Sequence, residues 1–123
     1  MSTKILAVQP VLMSRDIQRS LAFYARLGFK TIFIDSTSDP KYAGVVRDGI
    51  ELHLQWHDAA EWLAQADRPT YRFVVEDVDA LHEMLWQAGI ADMTSPHETA
   101  WSTYEFHVRD PDGNGLQFYR DVP

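Results

Sequence analysis

The chain has no cysteine among its 123 residues. That absence removes disulfides, thiolate metal ligands and cysteine nucleophiles together. It has no apolar run near the roughly 18 residues that a membrane-spanning helix requires. It is short of cations: 11 Lys and Arg stand against 18 Asp and Glu, a formal net charge of -7. Phosphate backbones need a basic face, so nucleic acid is excluded as a partner. Solubility is the ordinary use of such a carboxylate surplus, and a cationic ligand is compatible with it. Met1-Ser2-Thr3-Lys4 leads directly into a strand-like stretch without the layout of a signal peptide, so a cytoplasmic location is expected. A glycine-rich phosphate loop, a Ser-His-Asp order around a nucleophile elbow and a paired-carboxylate signal are also missing.

What is present is a repeat. Ile5 to Met13 is apolar and reads as a strand, with Gln9, Val11 and Met13 on one face. Pro10 has no N–H to give a ladder, so this strand is expected at an edge, at a bulge or at a crossing between subunits. Asp16 reads as an N-cap, Ile17, Leu21, Tyr24 and Leu27 as a helical stripe, and Gly28 as the stop. Phe29 to Asp35 is a strand with Phe33 on one face. Tyr42 to Arg47 and Ile50 to Gln55 are strands about Asp48-Gly49, a two-residue hairpin signal. In the second, Ile50, Leu52 and Leu54 alternate with Glu51, His53 and Gln55. Trp56 to Ala66 reads as a short helix or an ordered loop. Thr70 to Val75 is again a strand, Asp77 again a cap, Val78, Leu81 and Leu85 again a stripe, and Gly89 again a stop. Ile90 to Met93 reads as a short strand.

Cap and stop are twelve residues apart in both halves, and the halves are offset by sixty-one: Asp16 and Gly28 against Asp77 and Gly89. The reading is α+β, two βαβββ modules at residues 1–66 and 67–123 forming one compact domain. Neither module can bury a sheet face alone, so they pair. Helices on the convex sides would leave Gln9, Phe33, Glu51, His53, Thr70, Arg72, Gln117 and Tyr119 facing a concave cavity, the usual place for a ligand. Buried charges are generally paired, so Glu51 is expected to be held by Arg72 or a backbone donor.

The last stretch closes the second module. Tyr104, Phe106 and Val108 alternate with Glu105, His107 and Arg109, and Asp110-Pro111-Asp112-Gly113-Asn114-Gly115 is a run of turn formers before Leu116 to Tyr119.

The duplicated layout, the helix Arg15-Asp16-Ile17-Gln18-Arg19-Ser20-Leu21-Ala22-Phe23-Tyr24 leading to Leu27-Gly28-Phe29, and the turn Asp110 to Asn114 resemble the vicinal oxygen chelate superfamily. That group includes glyoxalase I, extradiol dioxygenases, and fosfomycin- and bleomycin-resistance proteins. Ala43-Gly44-Val45-Val46-Arg47-Asp48 and Trp101 followed by Glu105-Phe106 are similar to the bleomycin-resistance pattern in particular. The resemblance implies a homodimer with shared grooves. Enzymes of the superfamily hold a divalent metal at positions that match Gln9, Glu51, Thr70 and Gln117 here. Threonine and two glutamines make a poor donor set for a transition metal, so neither a metal nor another cofactor is expected, and no catalytic residue is assigned. The resemblance implies a binding protein that sequesters a small aromatic or glycopeptide ligand such as bleomycin. Its ligand-binding residues would be Phe33, Tyr42, Glu51, His53, Arg72, Trp101 and Gln117. The alternative is a metal-dependent lyase or dioxygenase with a divergent site around Glu51, His53 and His107. The chain departs from the bleomycin-resistance pattern at Ile32, Arg72, Ala100 and Ser102 and has a longer loop from Asp35 to Lys41. Arg72 is suited to a carboxylate or phosphate on a different ligand.

Overall fold

The computed structural model describes residues 2–63 and 69–123. Its elements are β1 (Val11–Ser14), α1 (Ile17–Arg26), β2 (Lys30–Ile34), β3 (Tyr42–Arg47), β4 (Ile50–Trp56), α2 (Ala59–Leu63), β5 (Thr70–Val74), α3 (Val78–Gln87), β6 (His97–Glu98), β7 (Thr103–Arg109) and β8 (Gly115–Asp121). They build two four-stranded sheets, ordered β1-β4-β3-β2 and β5-β8-β7-β6. In each sheet the first strand runs parallel to the last, and the remaining pairs are antiparallel. The expected module boundary between residues 66 and 67 lies outside the described residues.

Local chemistry sets the two long helices, α1 and α3. The Asp16 carboxylate accepts from the Arg19 N–H at the start of α1, and the Asp77 carboxylate accepts from the Ala80 N–H at the start of α3. A cap of this kind is worth about 1 kcal/mol. Each helix ends against a glycine at positive φ, Gly28 at 90° and Gly89 at 84°. Asp48 and Gly49 are both left-handed, at 51° and 78°, which matches the twist of a two-residue hairpin. Leu12, Tyr24, Leu52, Leu54, Leu85, Phe106, Val108 and Leu116 are all buried in one apolar core. No helix among the described residues is long and apolar enough to cross a membrane.

Two strand boundaries differ from the sequence reading. The first strand begins at Val11 rather than Ile5, and residues 2–9 are exposed, with Ile5, Leu6 and Val8 at 93%, 90% and 82%. The Pro10 carbonyl still accepts from the His53 N–H, and β1 is a sheet edge as the proline required. Upstream of Pro10 the chain leaves the β4 edge, so Ile50 to Leu52 have no β1 partner. In the second module Ile90 to Met93 is no strand; Met93 makes a single bridge to Val108, and the edge strand is His97–Glu98. Of the stretch Trp56 to Ala66, α2 forms the helical part, and residues 64–66 lie outside the described residues.

The two halves share one apolar core, and a cluster of side-chain hydrogen bonds joins them at the turn between β7 and β8. The turn between β7 and β8 inserts its polar side chains against β1 and α1. Buried Asp112 accepts from the backbone N–H and Nε of Arg15, from Nη2 of Arg19 and from the Ser20 hydroxyl. Buried Asp110 accepts from the Tyr24 hydroxyl at 2.7 Å and from Nδ2 of Asn114. Nδ2 of Asn114 also donates to the Met13 carbonyl. Burial, and then the Asp110 charge, push the Tyr24 phenol well above its ordinary value. Burial likewise raises Asp110, against the hydrogen bonds from Asn114 and Tyr24. The pseudo-symmetric turn at Asp48-Gly49 makes no such insertion against α3. Between them lies a cleft of about 710 Å³, lined by Phe29, Ile50, Val75, Leu81 and Met84 among others.

Candidate binding face

The first sheet carries an aromatic patch. Cross-strand pairing puts Val11, His53, Gly44 and Phe33 in one row across all four strands, with Met13, Gln55 and Tyr42 in the next. Gly44 is buried, and a Cβ there would land on the edge of the Phe33 ring. The missing side chain therefore lets Phe33 lie over the strand. Its ring stacks on Tyr42 with centroids 6.1 Å apart and an interplanar angle of 15°, and meets His53 edge-on at 5.2 Å. His53 is fixed from both sides: Nδ1 lies 2.7 Å from the Tyr42 hydroxyl and Nε2 lies 2.6 Å from the Glu51 carboxylate. With the Nε2 proton donated to Glu51, Nδ1 accepts from Tyr42. Phe33 remains 40% exposed, so the patch is ordered yet open.

The second sheet carries a polar network. Arg72, Gln117 and His107 form one row across β5, β8 and β7; Val74, Tyr119, Glu105 and His97 form the next. At its centre Glu105 is wholly buried. Burying a carboxylate costs several kcal/mol unless it is paired and hydrogen-bonded, and here both oxygens are engaged. Oε1 accepts from the Thr103 hydroxyl and from Nη2 of Arg72; Oε2 accepts from Nη1 of Arg72 and from Nε2 of His107. Burial alone would raise this carboxyl. The hydrogen bonds from Thr103, His107 and Arg72, with the charge of Arg72, win and bring it down from 4.5 to about 2. Nη1 of Arg72 also donates to Oε1 of Gln117. The guanidinium lies over the Tyr119 ring at 4.1 Å.

The expected lining therefore sits as two patches, one per sheet. Phe33, Tyr42, Glu51 and His53 come together on the first; Arg72 and Gln117 come together on the second. No hydrogen bond or ring contact joins them among the described residues. Glu51 is held by His53, and the partner of Arg72 is Glu105, correcting the expected Glu51–Arg72 pair. Trp101 makes no hydrogen bond or ring contact with either patch among the described residues. It is 65% exposed, in a tight turn closed by the N–H of Ser102 on the Thr99 carbonyl. Glu105 and Thr103 are the site residues that sequence reasoning passed over. The signal was available: Arg72 on an inward face requires a carboxylate, and Glu105 is the acidic residue that alternates inward on β7.

The positions where the superfamily's enzymes keep a metal do not fit one here. Gln9 is exposed ahead of β1, Thr70 lies opposite Gly115 rather than Gln117, and Glu51 is engaged by His53. Gln117 already accepts from a guanidinium, which places a fixed positive charge where a cation would bind. His107 is on the second sheet, away from Glu51 and His53, and no three His, Asp or Glu side chains converge among the described residues.

The family model described as the glyoxalase/bleomycin resistance protein/dioxygenase superfamily matches residues 6–118. The chain belongs to this superfamily. Within it, bleomycin resistance proteins of Geobacillus stearothermophilus and Staphylococcus aureus are 27% identical over 130 aligned positions, spanning 92% of this chain and 95% of theirs. The bleomycin-binding protein of the bleomycin producer Streptomyces verticillus, solved with copper(II)-bleomycin, is 30% identical. The match covers 99% of each chain with a TM-score of 0.76. The bleomycin resistance determinant encoded on transposon Tn5 superposes with a TM-score of 0.80 at 23% identity, over 95% of this chain and 98% of that one. That similarity shows the shared fold.

Proposed function

We propose that this protein binds a bleomycin-like glycopeptide, or a small aromatic ligand of that kind, and sequesters it in the cytoplasm without a metal of its own and without making or breaking a bond. The observation that carries the reading is the open, preassembled Phe33–Tyr42 stack beside Glu51 and His53. Aromatic stacking and nearby carboxylate suit a planar ligand with cationic groups, each such contact contributing roughly 0.5–2 kcal/mol. The net charge of -7 acts in the same sense. The bleomycin-binding relative at 30% identity supports the ligand class.

The groove is completed by a second copy, the first sheet of one protomer facing the second sheet of its partner. Support comes from the arm at residues 2–9. β1 pairs with His53 to Trp56 only, so Ile50 to Leu52 have no β1 partner, and Ile5, Leu6 and Val8 project bare. Burying each of those side chains is worth roughly 1.5–3 kcal/mol, and exchanged arms would also cover the open edge.

Titration with metal-free and copper(II)-bleomycin, followed by tryptophan fluorescence and calorimetry, tests the reading. Saturable binding of both forms and weaker binding by Trp101→Ala are expected; no heat and no quench with either sinks it. Unchanged affinity in Trp101→Ala removes Trp101 from the groove. A tightly held stoichiometric metal in the purified protein, or a thermal shift with Zn²⁺, Ni²⁺ or Mn²⁺, defeats the metal-free part. Sedimentation should give a dimer for the full chain and a monomer once residues 1–9 are deleted. A monomeric full chain at micromolar concentration refutes the shared groove.

A further inference from the structure

Arg72 has an unusual setting for a cation on a ligand-binding face. Its guanidinium lies with the central carbon over the Tyr119 ring, 4.1 Å from the centroid. Along its edge, Nη1 and Nη2 address the two oxygens of Glu105, and Nη1 also meets Gln117. The group is fixed in plane and in rotation, and its side chain stays 37% exposed. Glu105 balances its charge at contact distance, so a ligand anion gains little there, and Arg72 itself repels a ligand cation. What remains is a flat, delocalised and weakly hydrated surface, which is the property that lets guanidinium stack on aromatic faces.

We infer that Arg72, seated on Tyr119, is a stacking platform for an uncharged planar heteroaromatic ring of the ligand, giving a three-layer stack of Tyr119, Arg72 and ring. This rests on the binding reading above and adds which part of the ligand the second sheet receives. Glu105 and Gln117 are positioning residues: they hold the guanidinium flat and do not touch the ring. The two sheets then divide the work. The Phe33–Tyr42 patch beside Glu51 takes the cationic aromatic part, and the Arg72 platform takes a neutral ring.

The test uses benzothiazole as a neutral planar probe, with inorganic phosphate and tetramethylammonium as charged controls, in an NMR titration of the full chain. Benzothiazole should move the Arg72 Hδ and Hε resonances upfield by ring current, saturably, and neither control should. Arg72→Lys keeps a cation beside buried Glu105, so it preserves the fold while removing the plane. It should weaken benzothiazole roughly 3- to 30-fold, the range that cation–π contacts span. Tyr119→Leu removes the lower layer and should weaken the probe as well, while the melting temperatures of both variants stay near that of the parent. Phosphate shifting Arg72 where benzothiazole does not makes the site an anion subsite and overturns the proposal, as does Arg72→Lys binding benzothiazole like the parent. Copper(II)-bleomycin titrated against the same variants separates the two readings. Failure of the parent to bind bleomycin while benzothiazole stacks on Arg72 overturns the bleomycin reading alone. Unaltered bleomycin affinity in Arg72→Lys overturns the platform alone.

Discussion

Gly44→Ala should disable the binding face while leaving the fold intact. Gly44 lies on central strand β3, is not at positive φ, pairs in regular register with His53, and faces Phe33 just past a bulge in β2 between Thr31 and Phe33. Alanine is no worse than glycine as a strand residue there, and relieving glycine's extra unfolded-state freedom is worth up to about 1 kcal/mol. The new methyl, however, would occupy the space of the Phe33 ring. Phe33 is a partly exposed side chain, so it yields by swinging outward rather than by distorting the sheet. It then loses two ring contacts, the stack on Tyr42 and the edge-on contact with His53. At about 0.5–1.5 kcal/mol per aromatic pair, a ligand that needs the assembled patch is weakened by about 1–3 kcal/mol, or roughly 5- to 150-fold by the arithmetic of affinity. Calorimetry with copper(II)-bleomycin gives the affinity, and urea unfolding gives the stability. The lost ring contacts also belong to the folded state, so after the offset from replacing glycine, loss of affinity with a urea midpoint lowered by the equivalent of at most about 2 kcal/mol at unchanged slope is expected. Parent-like affinity, together with a Phe33 ring still over residue 44 in a crystal structure, would refute the reasoning; so would a changed unfolding slope showing that the sheet itself is disrupted.

Two further predictions concern stability. Glu105 titrates near 2 in the folded chain against an ordinary 4.5. Its contribution is therefore complete above about pH 4.5 and is lost as pH falls through about 2. Glu105→Gln should be less stable than the parent at neutral pH, and the gap should close across that window in urea midpoints measured at successive pH values; parallel curves would contradict it. Asp112→Ala removes the acceptor shared by Arg15, Arg19 and Ser20 and leaves the Ser20 hydroxyl buried without it. The urea midpoint should fall by the equivalent of about 2–3 kcal/mol at unchanged slope, with Asp112→Asn losing less.

What the sequence discloses and what it hides have different causes. Asp16, Gly28, Asp77 and Gly89 were legible because a cap and a stop act within one helical turn. Asp48-Gly49 was legible because a two-residue hairpin has few solutions. The end of the first strand was not: Ile5 to Val8 have strand composition, but composition does not report whether the chain stays beside the edge of β4 at Ile50 to Leu52, and here it does not. Glu105 was assigned only to the polar face of its strand, because alternation reports which face a side chain is on, not that Arg72 from β5 of the same sheet and Thr103 two residues away close over it. The same gap hid the role of Gly44, whose importance lies in the ring that crosses it. Trp101 was drawn into the site by resemblance, and its exposed side chain makes no hydrogen bond or ring contact with either patch among the described residues.

The two hairpin turns of the duplicated unit have separated in kind. The Asp110 to Asn114 turn is threaded into the other half by Tyr24, Ser20, Arg15 and Arg19, whereas the Asp48-Gly49 tip faces an open cleft. Lengthening the chain at 48–49 would extend a tip with nothing lodged against it. Lengthening it at 110–114 would withdraw two carboxylates from the opposite half. Descendants of this fold can therefore elaborate one turn freely and must inherit the other almost letter for letter.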